Sequence, residues 1–227
     1  MNNKELYLKL KEMIAKSIWW EETDPSDSFK VYSLRYYYPM SVGKIGWDTR
    51  YMIWNFKGND GDVNSIQYER YKEVLKKVVP WTSDVLRFYF REYFSDLTLF
   101  CIPASTSELY RNRFYSFSNQ LCEDTGMENG YDKLKYIKEG KSKRLNNGVG
   151  VPCEVQLDKE FWKDKLVVMF DDLIIKGNAM RKYKQMLVDC GAYVVGGITI
   201  GMTMHEEIQP EPINWFYGYL NSGWVVL

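Results

Sequence analysis

The stretch VVMFDDLIIKGNAM, residues 167 to 180, decides the fold of this chain. Four apolar residues lead into Asp171 and Asp172, further apolar residues follow, and a Lys-Gly-Asn turn opens a segment with helical character. A short apolar run bounded by turn residues predicts a buried strand at 166–170, and the residues behind the turn predict a helix at about 178–189. A strand, a turn and a helix in this order form the repeating unit of α/β folds.

Other segments continue this alternation of strands and helices. Apolar runs predict strands, and apolar residues at helical spacing predict helices, at these positions: strands at 29–38, 97–102 and 193–202, helices at 4–18 and 107–123. The pattern predicts a single α/β domain with a mostly parallel central sheet flanked by helices. We expect the strands near 97–102, 166–170 and 193–200 to be neighbours in that sheet.

Three segments have less regular patterns. TRYMIWNFKGND, residues 49 to 60, predicts a second strand that runs into a turn. The stretch after residue 64 predicts two helices, at 64–79 and 82–95, separated by Pro80, with Thr82 or Ser83 capping the second.

Residues 131–157 predict two strands joined by a loop rich in Lys, Gly and Asn. The loop from Lys138 to Gly150 has few apolar residues to bury, so we expect it to be mobile.

Composition limits the function classes. Apolar residues make up 45% of 227 residues, which suits one folded domain with a real core. The 30 basic and 30 acidic residues cancel, so no broad nucleic-acid surface is indicated. No apolar run approaches the ~18 residues that span a bilayer, and the N-terminus has no signal-peptide core, so the expected location is the cytoplasm.

The sequence gives little indication of a metal centre or of disulfide bonds. The four cysteines are scattered without C-x-x-C spacing, which favours buried thiols over disulfides or a zinc site. The one histidine, His205, is insufficient for a His-rich metal centre. The many Trp and Tyr residues are expected to be core or interface mass.

The acidic doublet has a specific chemical meaning in such a fold. Ligands of an open parallel sheet bind at the carboxyl ends of its strands, where the turns at 103–106 and 171–179 are expected. A helix beginning near Gly177 offers free N–H groups and a positive dipole end, which suit a phosphate. Two carboxylates accept hydrogen bonds from a diol or hold a divalent cation through water. A diol and a phosphate on one small molecule describe a ribose 5-phosphate.

Other interpretations compete with this one. An apolar strand ending in acids also occurs in the Walker B element, but its G-x-x-x-x-G-K-[ST] partner is absent from the sequence. An early G-x-G-x-x-G dinucleotide motif is absent as well. The doublet could also be a solvated turn whose aspartates only favour the following helix.

The same stretch resembles the phosphoribosyl diphosphate (PRPP) motif of type I phosphoribosyltransferases. IPASTSELYRNRFYSFSNQL, residues 102 to 121, resembles the pyrophosphate-loop region of the ComF-like members. MIWNFKGND, residues 52 to 60, resembles a strand of that family that ends in Phe-Lys, and the Lys-rich loop at 138–150 stands in the place of its flexible catalytic loop. The matches occur in the family's order and cover about residues 50–204.

The resemblance implies a role for each matching residue. Asp171 and Asp172 would bind the ribose hydroxyls and, through them or water, Mg²⁺. The turn around the 5′-phosphate would consist of Ile175, Lys176, Gly177, Asn178 and Ala179. The turn at the pyrophosphate would consist of Ser105 and Thr106, with Arg111 and Arg113 nearby. The loop cations that fold over the leaving pyrophosphate would be Lys141, Lys143 and Arg144.

The resemblance also implies an activity, the transfer of a phosphoribosyl group from PRPP to a nitrogen nucleophile such as a nucleobase, with release of pyrophosphate. Residues 1–227 would form one phosphoribosyltransferase-like domain, with an N-terminal extension at 1–49 and an aromatic tail at 205–227. Trp215 or Trp224 of that tail would form a small hood over the base, or pack on the sheet. The sequence leaves open whether the chain forms a homodimer.

The sequence departs from the family pattern in the phosphate turn. The family usually has threonines there, whereas this chain has Ile175, Lys176, Asn178 and Ala179, and it lacks the Cys-rich zinc element of many ComF-like proteins. Two alternatives therefore stay open: a non-catalytic PRPP or nucleotide sensor that acts through a partner, and an α/β interaction module whose doublet binds nothing.

Overall fold

The computed structural model describes residues 1–24, 27–42, 46–141, 150–206, 212–214 and 216–217. Its helices are α1 Asn3–Ala15, α2 Trp47–Lys57, α3 Ile66–Phe90, α4 Ser107–Thr125, α5 Lys159–Trp162 and α6 Asn178–Asp189. Its strands are β1 Trp20–Asp24, β2 Asp27–Tyr37, β3 Leu97–Cys101, β4 Glu128–Asn129, β5 Leu134–Lys138, β6 Glu154–Leu157, β7 Leu166–Ile174 and β8 Tyr193–Thr203. Short 3₁₀ turns occupy Met40–Val42 and Arg91–Asp96.

Six of these strands form the central sheet, in the order β1-β2-β8-β7-β3-β4. All neighbouring strands are parallel except β1 and β2. Strands β8, β7 and β3 lie side by side, which confirms the predicted neighbours and the α/β class. Parallel strands need crossover connections, and α4 and α6 supply two of them.

Strand β7 divides its side chains between two hydrophobic layers. Leu166, Val168 and Phe170 pack in one cluster with residues of α1 to α4, whereas Val167 and Met169 pack in a second cluster with residues of α5 and α6. The alternation follows from the two-residue period of a strand. Because both faces are covered, the strand is apolar at consecutive positions, which is typical of parallel sheets.

The connections on either side of β3 and β7 run in opposite directions. The chain leaves β3 through α4 to β4, and it leaves β7 through α6 to β8, so the two strands part towards opposite edges of the sheet. Such a reversal between adjacent parallel strands opens a crevice at their carboxyl ends. This crevice lies where the sequence predicts the two functional turns.

The prediction of a strand at residues 49–60 is wrong, because α2 covers most of that stretch. Met52, Ile53 and Phe56 are buried at helical spacing and face the core, while Trp47, Tyr51 and Trp54 stay partly exposed. The aromatic residues suggested a strand, but their exposure follows a period of 3.6. The Phe-Lys pair that resembles a strand end therefore lies at the carboxyl end of a helix.

The prediction of two helices around Pro80 is also wrong. Helix α3 runs without interruption from Ile66 to Phe90 and contains Pro80. The proline is exposed, while Val78 and Val79 beside it are buried. Tertiary packing of the apolar face thus outweighs the cost of a proline within the helix. Thr82 caps nothing here, because its hydroxyl donates to the carbonyl of Val78 inside the helix at 2.7 Å, and Ser83 lies within the same helix.

The two strands predicted within 131–157 are confirmed as an antiparallel pair, β5 and β6. Residues 142–149 make up most of the 138–150 loop and lie outside the described residues. The mobility of this loop therefore stays a prediction. The cysteines are all free thiols, and Cys101, Cys122 and Cys153 are buried, as predicted.

Within the described ranges, no helix combines the length and the apolar character needed to cross a bilayer.

Candidate functional site

At the crevice, β7 extends beyond the end of its neighbour β3. The last pair between the two strands joins Cys101 and Phe170, and the Ile102 amide then donates to the Phe170 carbonyl at 2.8 Å. Strand β7 continues to Ile174, paired with β8 alone. The sequence-based end of this strand at residue 170 is therefore wrong, and Asp171 and Asp172 lie inside β7, at an edge that β3 leaves open.

The two aspartates face opposite sides of the sheet, as neighbours in a strand must. Asp172 is on the side of Phe170, where α2 and α4 pack. Asp171 is on the side of Met169 and α6, and it lines a cavity with Met180. The doublet therefore presents one carboxylate to each face and does not act as a pair with one orientation.

Asp172 is a buried carboxylate whose two oxygens are both engaged. Its Oδ1 lies 2.8 Å from Lys57 Nζ, and its Oδ2 accepts from Arg113 Nη1 at 3.4 Å. The side chain is only 4% exposed, and these two cations are the partners that a buried carboxylate needs. Removing one member of such a buried pair typically costs more than the pair contributes.

Asp171 has the freer carboxylate. It is half-buried, its Oδ1 accepts from the Asp172 amide at 2.8 Å, and it is not in the ion pairs that hold Asp172. Burial and the adjacent Asp172 charge raise the pKa of the Asp171 carboxyl to about 8, and the more distant charges of Lys57 and Arg113 offset only part of this rise. A cation or a set of hydroxyl donors at Asp171 would favour its ionised form.

The turn behind the doublet encloses an open cavity of about 560 Å³. All five residues of the predicted phosphate turn line it, together with Asp171: Ile175, Lys176, Gly177, Asn178 and Ala179. Gly177 has a φ of 68°, in the left-handed region where a glycine is favoured, and it brings the chain into α6. No side chain among the described residues caps this helix, and its first turn holds no acidic residue. The N–H groups there are available to an anion.

The second predicted turn lies at the end of β3. Ser105 and Thr106 are half-buried, and Thr106 caps α4 by accepting from the Leu109 amide at 3.2 Å. The amide and hydroxyl of Ser107 both donate to Glu139, at 2.9 and 2.6 Å. The hydroxyl of Thr106 thus caps α4, and the carboxylate of Glu139 lies against the start of the same helix.

The structure separates the two arginines of α4. Arg113 faces the crevice and pairs with Asp172, and no described residue accepts from its buried Nε. Arg111 is exposed and lines a different open groove, of about 750 Å³, between α4 and β5. Because residues 111 and 113 are about 200° apart around a helix, only Arg113 lies at the crevice.

Of the three loop cations, only Lys141 is described. It is exposed, and its amide and carbonyl form a two-bond bridge with Val151 at 2.8 and 2.9 Å, which closes the base of the loop. Lys143 and Arg144 lie outside the described residues, as do Trp215 and Trp224 of the predicted hood.

Sequence reasoning missed Lys57, whose ammonium lies 2.8 Å from Asp172 Oδ1. The Phe-Lys pair at residues 56–57 is part of the family resemblance, so the sequence did contain the signal. The pairing could not be deduced from it, because the stretch was expected to be a strand.

The described carboxylates fit a magnesium ion only if the bound ligand and water supply most of its ligands. No group of three His, Cys, Asp or Glu among the described residues could hold a metal by itself. Mg²⁺ commonly uses one or two carboxylates and takes its other ligands from phosphates and water. The carboxylate of Asp171, which lines the cavity beside the N-terminus of α6, fits that second kind of site.

Comparisons of the chain with protein-family models and with curated proteins found no match. Its function must therefore be inferred from the residues of the crevice and their chemistry.

Proposed function

We propose that this chain is a phosphoribosyltransferase-like protein that binds PRPP with Mg²⁺ in the crevice between β3 and β7. One observation carries the proposal: Asp171 and the uncapped N-terminus of α6 line the same cavity. A carboxylate for a sugar diol and N–H groups for a phosphate are thereby brought to one small-molecule site. The type I phosphoribosyltransferase fold and the cytoplasmic location are part of this proposal.

Each part of the crevice has a distinct role in this proposal. The turn at 175–179 wraps the 5′-phosphate with backbone N–H groups, and Lys176 adds charge. Asp171 accepts from the ribose hydroxyls. Asp172 positions its neighbour and does not bind the ligand itself. Lys57 and Arg113 pair with its carboxylate, and its amide donates to Asp171.

The turn at 105–107 follows the carboxyl end of β3, the neighbour of β7, and we assign it to the pyrophosphate. Its donors are the first-turn groups of α4, including the Ser107 amide and hydroxyl. With both ends of PRPP bound, C1 of the ribose is exposed between them to a nitrogen nucleophile. The protein's contribution to the displacement is then position and stabilisation of the departing charge.

Magnesium would be held by Asp171 together with the ligand's own oxygens. Bound there, it would neutralise negative charge on the leaving pyrophosphate. Burial raises the pKa of the Asp171 carboxyl, so binding such a ligand would require this carboxyl to be ionised.

A non-catalytic PRPP or nucleotide sensor is the second candidate, and a specific observation favours it. The turn at 175–179 contains no hydroxyl side chain, and Ile175, its first residue, is 66% exposed. An apolar side chain at that position supplies neither a phosphate donor nor an acid–base group. Binding without turnover is the expected behaviour of such a site.

Calorimetric titration with PRPP, with and without Mg²⁺, tests the proposal, and pyrophosphate release in the presence of candidate bases separates enzyme from sensor. We expect binding that needs Mg²⁺ and that falls at least tenfold in Asp171→Asn. Asp189→Asn is a matched control, because it removes an exposed carboxylate from the opposite end of α6. No binding to the unaltered protein, or equal binding in Asp171→Asn, would reject the ribose assignment.

A further inference from the structure

The carbonyl oxygen of Ala104 accepts two hydrogen bonds from the β5–β6 hairpin. Tyr136 Oη donates to it at 2.9 Å, and Cys153 Sγ donates to it at 3.2 Å. The next carbonyl, that of Ser105, accepts from the Gly140 amide at 2.7 Å. Tyr136 lies in β5 and Cys153 directly precedes β6, so both sides of the hairpin hold the turn that follows β3.

Cys153 also connects this turn to α6. Its thiol has one hydrogen, which it donates to Ala104, so the Tyr183 hydroxyl is the donor in the 3.5 Å contact between Tyr183 and the sulfur. Lys182 Nζ donates to the Cys153 carbonyl at 3.4 Å, which adds a second bond from α6. Cys153, Tyr183 and Ala104 are all buried, so the bonds among them are stronger than they would be in water.

The elements joined in this way carry the two binding turns of the proposed function. The turn at 105–107 follows Ala104, and the turn at 175–179 leads into α6, where Tyr183 lies about one and a half helical turns from the first residue. Because a peptide unit is planar, holding the Ala104 carbonyl also fixes the direction of the Ser105 N–H. The cluster of Tyr136, Cys153 and Tyr183 thereby fixes the first turn relative to the helix that begins at the second.

We infer that Tyr136 and Cys153 are positioning residues, which set the separation between the pyrophosphate turn at 105–107 and the 5′-phosphate turn at 175–179. The inference rests on the proposed function and identifies residues that decide which ligands the crevice selects. PRPP contacts both turns and needs them at one separation, whereas ribose 5-phosphate contacts only the second. Preorganised turns favour the two-ended ligand, because they do not have to be ordered when it binds.

The test compares the affinities for PRPP and for ribose 5-phosphate, measured by calorimetry with Mg²⁺. Tyr136→Phe/Cys153→Ala removes both donors to Ala104, while Tyr136→Phe/Cys153→Ser keeps a hydroxyl in place of the thiol. Tyr32→Phe is the matched control, because its buried hydroxyl also donates to a carbonyl, that of Pro212, and lies in β2, which borders neither β3 nor β7.

We expect the alanine variant to bind PRPP about tenfold more weakly than the unaltered protein, because binding groups displaced by about 1 Å lose much of their contribution. Its affinity for ribose 5-phosphate should stay within about twofold, since that ligand uses the second turn alone. The serine variant should recover part of the PRPP affinity, and Tyr32→Phe should bind both ligands as the unaltered protein does. If the alanine variant does not fold, Tyr136→Phe alone, which keeps the ring, decides by the same comparison of the two ligands.

The outcomes separate this inference from the proposed function. A loss confined to PRPP, and recovered in part by serine, supports the positioning role. Unchanged PRPP affinity, equal losses for the two ligands, no recovery with serine, or the same selective loss in Tyr32→Phe overturns it, even where the unaltered protein binds PRPP normally. No binding of PRPP by the unaltered protein rejects the proposed function itself, and the positioning role with it.

Discussion

Lys57 Nζ lies 2.8 Å from Asp172 Oδ1, so the last residue of α2 is bound to the carboxylate buried in β7. In Lys57→Met, Asp172 keeps, among the residues that the structure describes, only the longer contact to Arg113 at 3.4 Å. A buried carboxylate that has lost its closer cation destabilises the fold, and because Lys57 is itself 36% exposed we expect a loss of about 1–3 kcal/mol in unfolding free energy. Urea unfolding measures this loss.

A matched control for that prediction is Lys76→Met. Lys76 pairs with Glu73 on α3 at 2.6 Å, but both side chains are more than 60% exposed. Exposed pairs of this kind contribute little, so the unfolding free energy of this variant should change far less than that of Lys57→Met. Equal losses in the two variants would mean that the Asp172 pair is no more important than a surface pair.

Asp171 should make the fold less stable as the pH rises. Its folded-state pKa is raised to about 8, above the value of ~3.9 in an unfolded chain, so between these values the folded protein holds a proton that the unfolded chain has released. The stability attributable to Asp171 is therefore present below about pH 4 and is lost as the pH rises towards 8.

Asp171→Asn removes this dependence, because Asn still accepts from the Asp172 amide but carries no charge. The stability of the variant relative to the unaltered protein should increase by up to about 1.4 kcal/mol per pH unit from pH 5 to pH 8, in the absence of ligand and Mg²⁺. Urea unfolding at the two values provides the measurement. A stability difference that stays constant with pH would contradict the raised pKa.

Pro80→Ala should stabilise the protein. Pro80 lies in the interior of α3 on its exposed side, where it lacks an N–H for the helix and its ring crowds the preceding turn. Alanine restores that hydrogen bond, and the gain of up to ~3 kcal/mol is reduced because the unfolded chain becomes less restricted. We expect a net increase of about 1–2 kcal/mol in thermal or urea unfolding. A decrease would show that the proline ring itself makes contacts that the helix needs.

The sequence predicted the strand–turn–helix unit at β7 and α6 well, because a purely apolar run followed by a glycine turn has few alternatives. It failed at α2, where the aromatic residues Tyr51, Trp54 and Phe56 have high strand propensity. Only the tertiary structure shows that Phe56 alone among them is buried. It failed at Pro80 for the same reason, since packing along a whole helix face outweighed one unfavourable residue.

The candidate site was predictable in part. The residues of the 175–179 turn could be predicted because they are consecutive and follow the doublet directly. The contacts from Lys57 to Asp172 and from Glu139 to Ser107 could not, because each joins residues distant in sequence. The opposite orientations of Asp171 and Asp172 were also hidden, since the strand was expected to end before them.

Ala179→Thr should strengthen PRPP binding. Ala179 is exposed, lies in the first turn of α6 and lines the cavity with Asp171. It occupies one of the positions at which the family that the chain resembles usually has a threonine. In the proposed complex, a threonine hydroxyl there would donate to the 5′-phosphate of PRPP. One hydrogen bond to a charged group contributes ~1.5–3 kcal/mol, so calorimetry should show an affinity at least tenfold higher.

The same substitution should slightly weaken the fold, because threonine has a lower helix propensity than alanine by a few tenths of a kcal/mol to about 0.7 kcal/mol. Affinity and stability are therefore expected to move in opposite directions, which a general improvement in folding cannot produce. Val188→Thr provides the control, since Val188 is exposed near the other end of α6 and threonine has nearly its shape. Its PRPP affinity should equal that of the unaltered protein. If Ala179→Thr also leaves the affinity unchanged, the 5′-phosphate is not bound at the N-terminus of α6, and the assignment of the 175–179 turn has to be abandoned.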